Sequence, residues 1–392
     1  MSSAKRQTPN AERQTSPAKR QTSPARRRTS SLGQLLLVGV PAPELDPETA
    51  KVFRKVQPGG FILFGRNIRS AYQLRKLIDD LRDLSRIEPI ITIDQEGGRV
   101  SRLKLIGNEP PSAQQLREKG DPVLIQRHGQ LTGELLRLFG FNLDLCPVLD
   151  ISFDDNADNS LRGRCYGTSV QQVVDFAGAF NDALLKTGVL SCGKHFPGYA
   201  AAGLDPHLDL PKIDRSRAEL EETELKIFRT FSSRVSSMMV CHGWYPALDP
   251  DKIPASLSQS IVTTLLTEEL DFNGLIMTDD LDMGAILNQF GFKETIERAL
   301  CAGNHMALIC HRIQVVEEAA LIVDATPGEQ LERALEGVSR FKEKLVPPDE
   351  FSEERFRALD DQAWELRVAT LGAERAKERS QDIGKRSPVE IY

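Results

Sequence analysis

Two stretches of this chain, Lys194-His195-Phe196-Pro197-Gly198 and Asp205-Pro206-His207, hold the residue types that proton transfer requires. The apolar run 188–193 that leads into Lys194 has the character of a strand. Lys194 and His195 are therefore expected where that strand emerges into a loop turned by Pro197 and Gly198. In extended backbone, residues i and i+2 face the same way, so Asp205 can orient the His207 imidazole and stabilise its protonated form. With an ordinary pKa of ~6.5, an imidazole can donate a proton and then recover it near neutral pH. A carboxylic acid must first have its pKa raised by its surroundings.

Other groups able to do chemistry close strand-like runs elsewhere. Asp94 follows Ile93 and opens Gln95-Glu96-Gly97-Gly98-Arg99-Val100-Ser101-Arg102; Asp150 ends Pro147-Val148-Leu149; His242 follows Cys241; Asp279 stands in Met277-Thr278-Asp279-Asp280-Leu281-Asp282-Met283. Left as unpaired core residues, these groups would be costly to bury. Gathered at one site, they allow three chemistries. Metal-dependent hydrolysis would want a ligand cluster such as His-x-His or HExxH, and neither occurs, so no metal and no cofactor is expected. Schiff-base chemistry could use Lys194, but no apolar pocket is implied that would depress its pKa. Glycoside hydrolysis needs a carboxylate opposite an acid/base group, and Asp279 with His207 fits that need.

The elements that must position these residues alternate along the chain. Strand-like runs fall at 34–40, 60–64, 89–93, 142–146, 188–193, 237–241, 274–277 and 306–310, with helical patterns such as 71–86, 123–139, 171–186, 217–232 and 260–270 between them. Continuous apolar strands separated by helices indicate a parallel sheet, and eight such units indicate an α/β (β/α)8 TIM-type barrel. In such a barrel the active site lies at the C-terminal ends of the strands. An open doubly wound sheet is the competing architecture, but no GxGxxG fingerprint follows the first strand. Helices at 327–346 and 352–377 are expected outside the barrel. The domain plan is a tail at 1–31, a catalytic barrel at 32–346 and a C-terminal helical extension with a frayed end at 347–392.

The chain has 392 residues, 40% of them hydrophobic, and a net charge of −6. The first 31 residues form an imperfect seven-residue repeat of the type Ala-Lys-Arg-Gln-Thr-Ser-Pro, with eight basic residues against one acid. The rest of the chain is therefore strongly acidic, which argues against nucleic acid binding by the core. With no large apolar residue after Met1 and prolines at 9, 17 and 24, the tail cannot offset its own ordering entropy and is expected to be disordered; its partner is unknown. No apolar run approaches the ~20 residues that cross a bilayer, so no membrane association is expected. Six cysteines without CxxC spacing suit a reducing compartment, the cytoplasm.

Three of these motifs together, Ile93-Asp94-Gln95-Glu96-Gly97-Gly98-Arg99-Val100, Lys-His-Phe-Pro-Gly with the later Asp-x-His, and Asp279-Asp280-Leu281-x-Met283, resemble the β-N-acetylhexosaminidases of glycoside hydrolase family 3. More narrowly, the chain resembles the single-barrel cytoplasmic enzymes of bacterial peptidoglycan recycling, from about Leu32 to beyond Cys310. The resemblance implies a retaining mechanism in which Asp279 is the nucleophile, His207 the acid/base and Asp205 its partner. It implies that Asp94, Arg102, Arg164, Lys194 and His195 hold the N-acetylglucosamine ring, and that His242 lines the same pocket. The substrate implied is a small glycan, a muropeptide fragment. Alternatives are a β-glucosidase or β-xylosidase of the same family, or a non-catalytic sugar-binding barrel. The chain departs from the family pattern at Tyr199-Ala200, where His-Gly is usual, and at Pro206, where Ser is usual. Both changes stiffen the loop that carries the dyad. By spacing, Arg99 is read as a structural ion-pair partner, Asp94 as able to cap the following turn, and Asp280 and Asp282 as capping or salt-bridge residues for the next helix.

Overall fold

The structure, a computed structural model, describes residues 32–157, 159–199, 210–283, 286, 289–326 and 328–380. Both members of the Asp205–His207 pair, Ala200, Pro206 and the tail at 1–31 lie outside the described residues.

Eight parallel strands close a barrel: β1 (Leu36–Gly39), β2 (Gly60–Leu63), β3 (Ile90–Ile93), β4 (Leu143–Asp144), β5 (Leu190–Phe196), β6 (Ser237–Val240), β7 (Leu275–Asp280) and β8 (Met306–Ile309). Each strand pairs with its neighbours in chain order, and β8 pairs back onto β1. Nearly every strand residue is buried, because the interior packs on one face and the helices on the other. This is the expected (β/α)8 barrel.

The helices begin where the sequence supplies caps. Asp46 caps α1 (Pro47–Val56) through Oδ1, which accepts the N–H groups of Glu48 and Thr49 at 3.0 Å each. Serines 70 and 169 do the same for α2 (Ala71–Leu84) and for the later helix Val170–Leu185, and Asp121 for α4 (Pro122–Phe139), which follows the short α3 (Ala113–Lys119). With Val170–Leu185 as α5, the expected single helix at 217–232 is broken. It forms α6 (Arg217–Glu222) and α7 (Glu224–Phe231), because Thr223 leaves the helical region at φ −126° and ψ −91°. The stretch expected as a helix at 260–270 is a π-helix over Ser260–Glu269. After α8 (Phe292–Cys301) and α9 (Val316–Ala325), α10 (Gly328–Lys342) and α11 (Glu353–Leu371) pack outside the barrel. The last of these stops short of 377 because Gly372, at φ 81°, ends it.

Two strands that carry chemistry are irregular. Between the pairs Gly193↔Met238 and Phe196↔Val240, β5 advances one residue more than β6. Between Met306↔Met277 and Leu308↔Asp280, β7 advances one residue more than β8. An extra residue bends a strand and re-aims its side chains. These bulges fall at Lys194–His195 and at Thr278–Asp279.

Candidate active site

A pocket opens at the C-terminal ends of the strands, lined among others by Phe64, Asp94, Ser160, Arg164, Lys194, His195, Tyr199, His242, Asp279, Met283 and His311. Lys194 and His195 lie within β5, not in the loop after it, so the expected boundary at residue 193 is corrected: the bulge keeps the segment paired as far as Phe196.

The floor of the pocket is an alternating chain of buried charge. Lys194 Nζ lies 2.7 Å from Asp94 Oδ1 and 2.7 Å from Glu96 Oε1. Arg164 grips Glu96 with two bonds, Nε to Oε2 and Nη2 to Oε1, both 2.7 Å. Arg102 Nη2 approaches Asp94 Oδ2 at 3.6 Å. Such paired, forked contacts are what allow charges to be buried. Burial by itself would lower the Lys194 ammonium, but Asp94 and Glu96 outweigh it and hold the group above the usual lysine range. Burial would likewise raise both carboxyls, yet Lys194 and Arg102 hold Asp94 down, and Arg164 and Lys194 hold Glu96 down. A lysine kept charged in this way is a poor amine nucleophile, which removes the Schiff-base option. Among the described residues no backbone N–H of the turn after Asp94 donates to its carboxylate, and the N–H of Gln95 goes to Asp144 Oδ1 at 3.1 Å.

His195 is set by Asp150. Its Nδ1 is 2.7 Å and its backbone N 3.0 Å from Asp150 Oδ2. Arg164 Nη2 lies 3.4 Å from His195 Nε2, and a guanidinium can only donate, so Nε2 accepts and Nδ1 carries the hydrogen. The other Asp150 oxygen accepts the N–H of Tyr199 at 2.6 Å, which holds the backbone at that residue.

Asp279 stands at the end of β7. Its Oδ1 accepts the N–H of Asp280 at 2.8 Å, and its Oδ2 accepts no hydrogen bond among the described residues. His242 Nε2 donates to the Asp280 carbonyl at 2.9 Å, and Ser256 Oγ lies 2.8 Å from its Nδ1. Asp282 forms an ion pair with Arg312 at 2.6 Å and Asp280 lies 3.2 Å from His311 Nε2; both partners follow β8 and do not belong to the next helix, which the two aspartates are expected to serve.

The structure thus brings together Asp94, Arg102, Arg164, Lys194, His195, His242 and Asp279. The sequence reading missed Glu96, the partner of both Arg164 and Lys194, although the i, i+2 rule applied to Asp205 and His207 also puts Glu96 on the side of Asp94. It also missed the orienting contacts of Asp150 and His311, which depend on strand ends distant in sequence. Among the described residues, no group of three or more His, Cys, Asp or Glu side chains could hold a metal ion.

Residues 29–340 match the glycosyl hydrolase family 3 N terminal domain. A β-hexosaminidase of Tolumonas auensis is 32% identical over 281 residues, 70% of this chain and 82% of that protein. One from Vibrio cholerae strain O395 is 33% identical over 339 residues, 86% of this chain and 96% of its own length. Among solved structures, the family 3 β-N-acetylglucosaminidase of Paenibacillus sp. FPU-7 superposes with a TM-score of 0.79 at 29% identity, over 86% of this chain and 68% of that one. NagZ from Neisseria gonorrhoeae gives a TM-score of 0.73 at 28% identity, over 86% and 98%. With a family match over most of its length and relatives of this identity and coverage, the chain belongs to glycoside hydrolase family 3 and is a glycoside hydrolase.

Proposed function

We propose that this chain is a retaining β-N-acetylglucosaminidase that removes terminal β-linked N-acetylglucosamine, with peptidoglycan fragments as its substrates. The observation that carries the reading is the Asp279 carboxylate. One of its oxygens is oriented by a backbone N–H and the other accepts no hydrogen bond among the described residues, in a pocket also lined by the Asp94, Lys194 and Arg164 charges. The names of the relatives and of the structural neighbours support the sugar. The muropeptide aglycone and a cytoplasmic setting rest on the motif resemblance, with six unpaired cysteines favouring a reducing compartment.

In the first step an Asp279 oxygen attacks the anomeric carbon. The glycosidic C–O bond breaks as the departing oxygen takes a proton from the His207 imidazolium, which Asp205 stabilises. In the second step His207 removes a proton from water, whose oxygen displaces the Asp279 carboxylate and releases the sugar with its configuration retained. Sugar hydroxyls would be met by Asp94, Arg102, Arg164, Lys194 and His195, with His242 behind the nucleophile.

The test sets nitrophenyl β-N-acetylglucosaminide, β-glucoside and β-xyloside side by side on the purified protein. Faster turnover of the N-acetylglucosaminide is expected, and the Asp279→Ala variant should be folded and inactive. A preference for glucoside or xyloside would overturn the sugar assignment, and substantial activity in Asp279→Ala would overturn the nucleophile.

A further inference from the structure

The residue after the proposed nucleophile is held from several sides. Asp280 Oδ1 accepts the N–H groups of Asp282 at 3.0 Å and Cys310 at 3.2 Å, and its Oδ2 lies 3.2 Å from His311 Nε2. Its carbonyl accepts Nε2–H of His242 at 2.9 Å. Its own N–H is the group that donates to Asp279 Oδ1. Whatever fixes the backbone at residue 280 therefore fixes the orientation of the Asp279 carboxylate.

Like that of His242, the ring hydrogen of His311 can be assigned from its neighbours. Arg66 Nη1 lies 3.0 Å from His311 Nδ1, and a guanidinium has no acceptor, so Nδ1 accepts and the ring hydrogen sits on Nε2, facing Asp280. Arg66 is fixed in turn by the carbonyls of Cys310 at 2.6 Å and Val40 at 3.0 Å, and the Phe64 ring lies 5.3 Å from the imidazole. The imidazole thus has one tautomer that satisfies both neighbours, and the barrel seam between β8 and β1 holds it there.

Resting on the reading of Asp279 as nucleophile, we propose that His311 is a positioning residue for the glycosylation step. By donating Nε2–H to the Asp280 carboxylate, it locks the Asp279–Asp280 peptide whose N–H aims the attacking carboxylate. Without that tie the Asp280 side chain turns more freely, and misplacement of a reacting group by about 1 Å costs roughly 100-fold in rate.

The experiment measures kcat and KM on the nitrophenyl N-acetylglucosaminide, and the rate of covalent labelling by a 5-fluoro-β-N-acetylglucosaminyl fluoride. The glycosyl fluoride loses fluoride without acid assistance, so its labelling rate reports nucleophilic attack alone. For His311→Ala, kcat and the labelling rate should fall roughly 10- to 100-fold with KM changed less than about 3-fold. His311→Gln offers an acceptor and a donor like the neutral imidazole and should recover most of the loss. If the alanine variant does not fold, His311→Met, of similar bulk and without the donor, carries the same expectation. Labelling of Asp279 at the wild-type rate in either variant would overturn the proposal. So would a rise in KM with kcat retained, which would make the imidazole a sugar contact, or a folded glutamine variant as slow as alanine. Wild-type protein labelled on a residue other than Asp279 would instead overturn the nucleophile reading beneath it.

Discussion

Asp144 shows how differently two buried carboxylates can be treated within one barrel. Glu96 is buried between two cations and is held ionised, whereas Asp144 has for Oδ1 the N–H of Gln95 and for Oδ2 no hydrogen bond among the described residues. Burial is the largest influence on it, and its pKa is raised well above the carboxylate range. A native state that keeps a proton the unfolded chain has released binds more protons, so this group makes stability fall as pH rises above its unfolded value of ~3.9. The slope is up to ~1.4 kcal/mol per pH unit until the raised native value is passed. His128 and His305, both pushed down to about 4 by burial, act in the opposite direction up to the ordinary histidine range. The difference between wild type and Asp144→Asn isolates the aspartate, because asparagine can keep the contact to Gln95 without a charge. Urea titrations at pH 6 and pH 8 should show the variant gaining relative to wild type as pH rises. An unchanged difference between the two pH values would mean that native Asp144 is already ionised at both, as it is in the unfolded chain.

The elements were largely legible in the sequence, and the reason is periodicity. Eight continuous apolar runs are what a sheet covered on both faces requires, and each became a strand within a few residues of its expected ends. Bulges leave no such trace. The extra residues in β5 and β7 arise from pairing with β6 and β8, so Lys194 and His195 looked like the start of a loop when they are the end of a strand. The turn beyond them was readable, because Pro197 and Gly198 mark it, and the structure adds a reason for the glycine. Gly198 sits at φ 119°, and a Cβ there would lie 2.5 Å from Glu224 Cγ on α7. Gly198→Ala should therefore cost about 1–3 kcal/mol of stability from backbone strain alone, and more from the clash. Adding Glu224→Ala should remove the contact with Cγ but leave Glu224's Cβ, 2.7 Å from the new methyl, as well as the strain, so the double variant should stay less stable than Glu224→Ala alone. Equal unfolding midpoints for those two proteins would show that the backbone at 198 accepts alanine. The same comparison read in kcat tests whether the backbone at 198 matters to the segment that follows it, where Asp205 and His207 are expected to pair from their i, i+2 spacing alone.

At the scale of the whole molecule, the outer helix α11 is tied to the loop that carries Arg102. Asp360 accepts the backbone N–H of Asn108 at 2.5 Å and its side-chain amide at 2.8 Å. Arg367, only 2% exposed, donates to Glu109 Oε1 at 2.9 Å and to the Ala376 carbonyl at the same distance. Ser380 adds two bonds to the Glu109 carboxylate, through its N–H at 3.0 Å and its hydroxyl at 2.7 Å. Segment 104–109 is thus clamped from the C-terminal side just after it leaves the Asp94–Arg102 pair. None of this was visible in the sequence, where 352–377 read simply as a helix packing outside the barrel, because a contact between residues 109 and 367 has no local pattern. Replacing Arg367 with leucine removes one partner of a buried pair and leaves Glu109 without its cation, at a cost of about 3–5 kcal/mol. Changing both, Arg367→Leu with Glu109→Leu, removes the stranded charge and should recover much of that loss, since an apolar pair of similar volume is often neutral. If the clamp also positions Arg102, the double variant will regain its unfolding midpoint in urea while kcat/KM stays low, since the loop is packed again but no longer held by directional bonds. Recovery of stability and kcat/KM together would assign the outer helix to stability alone.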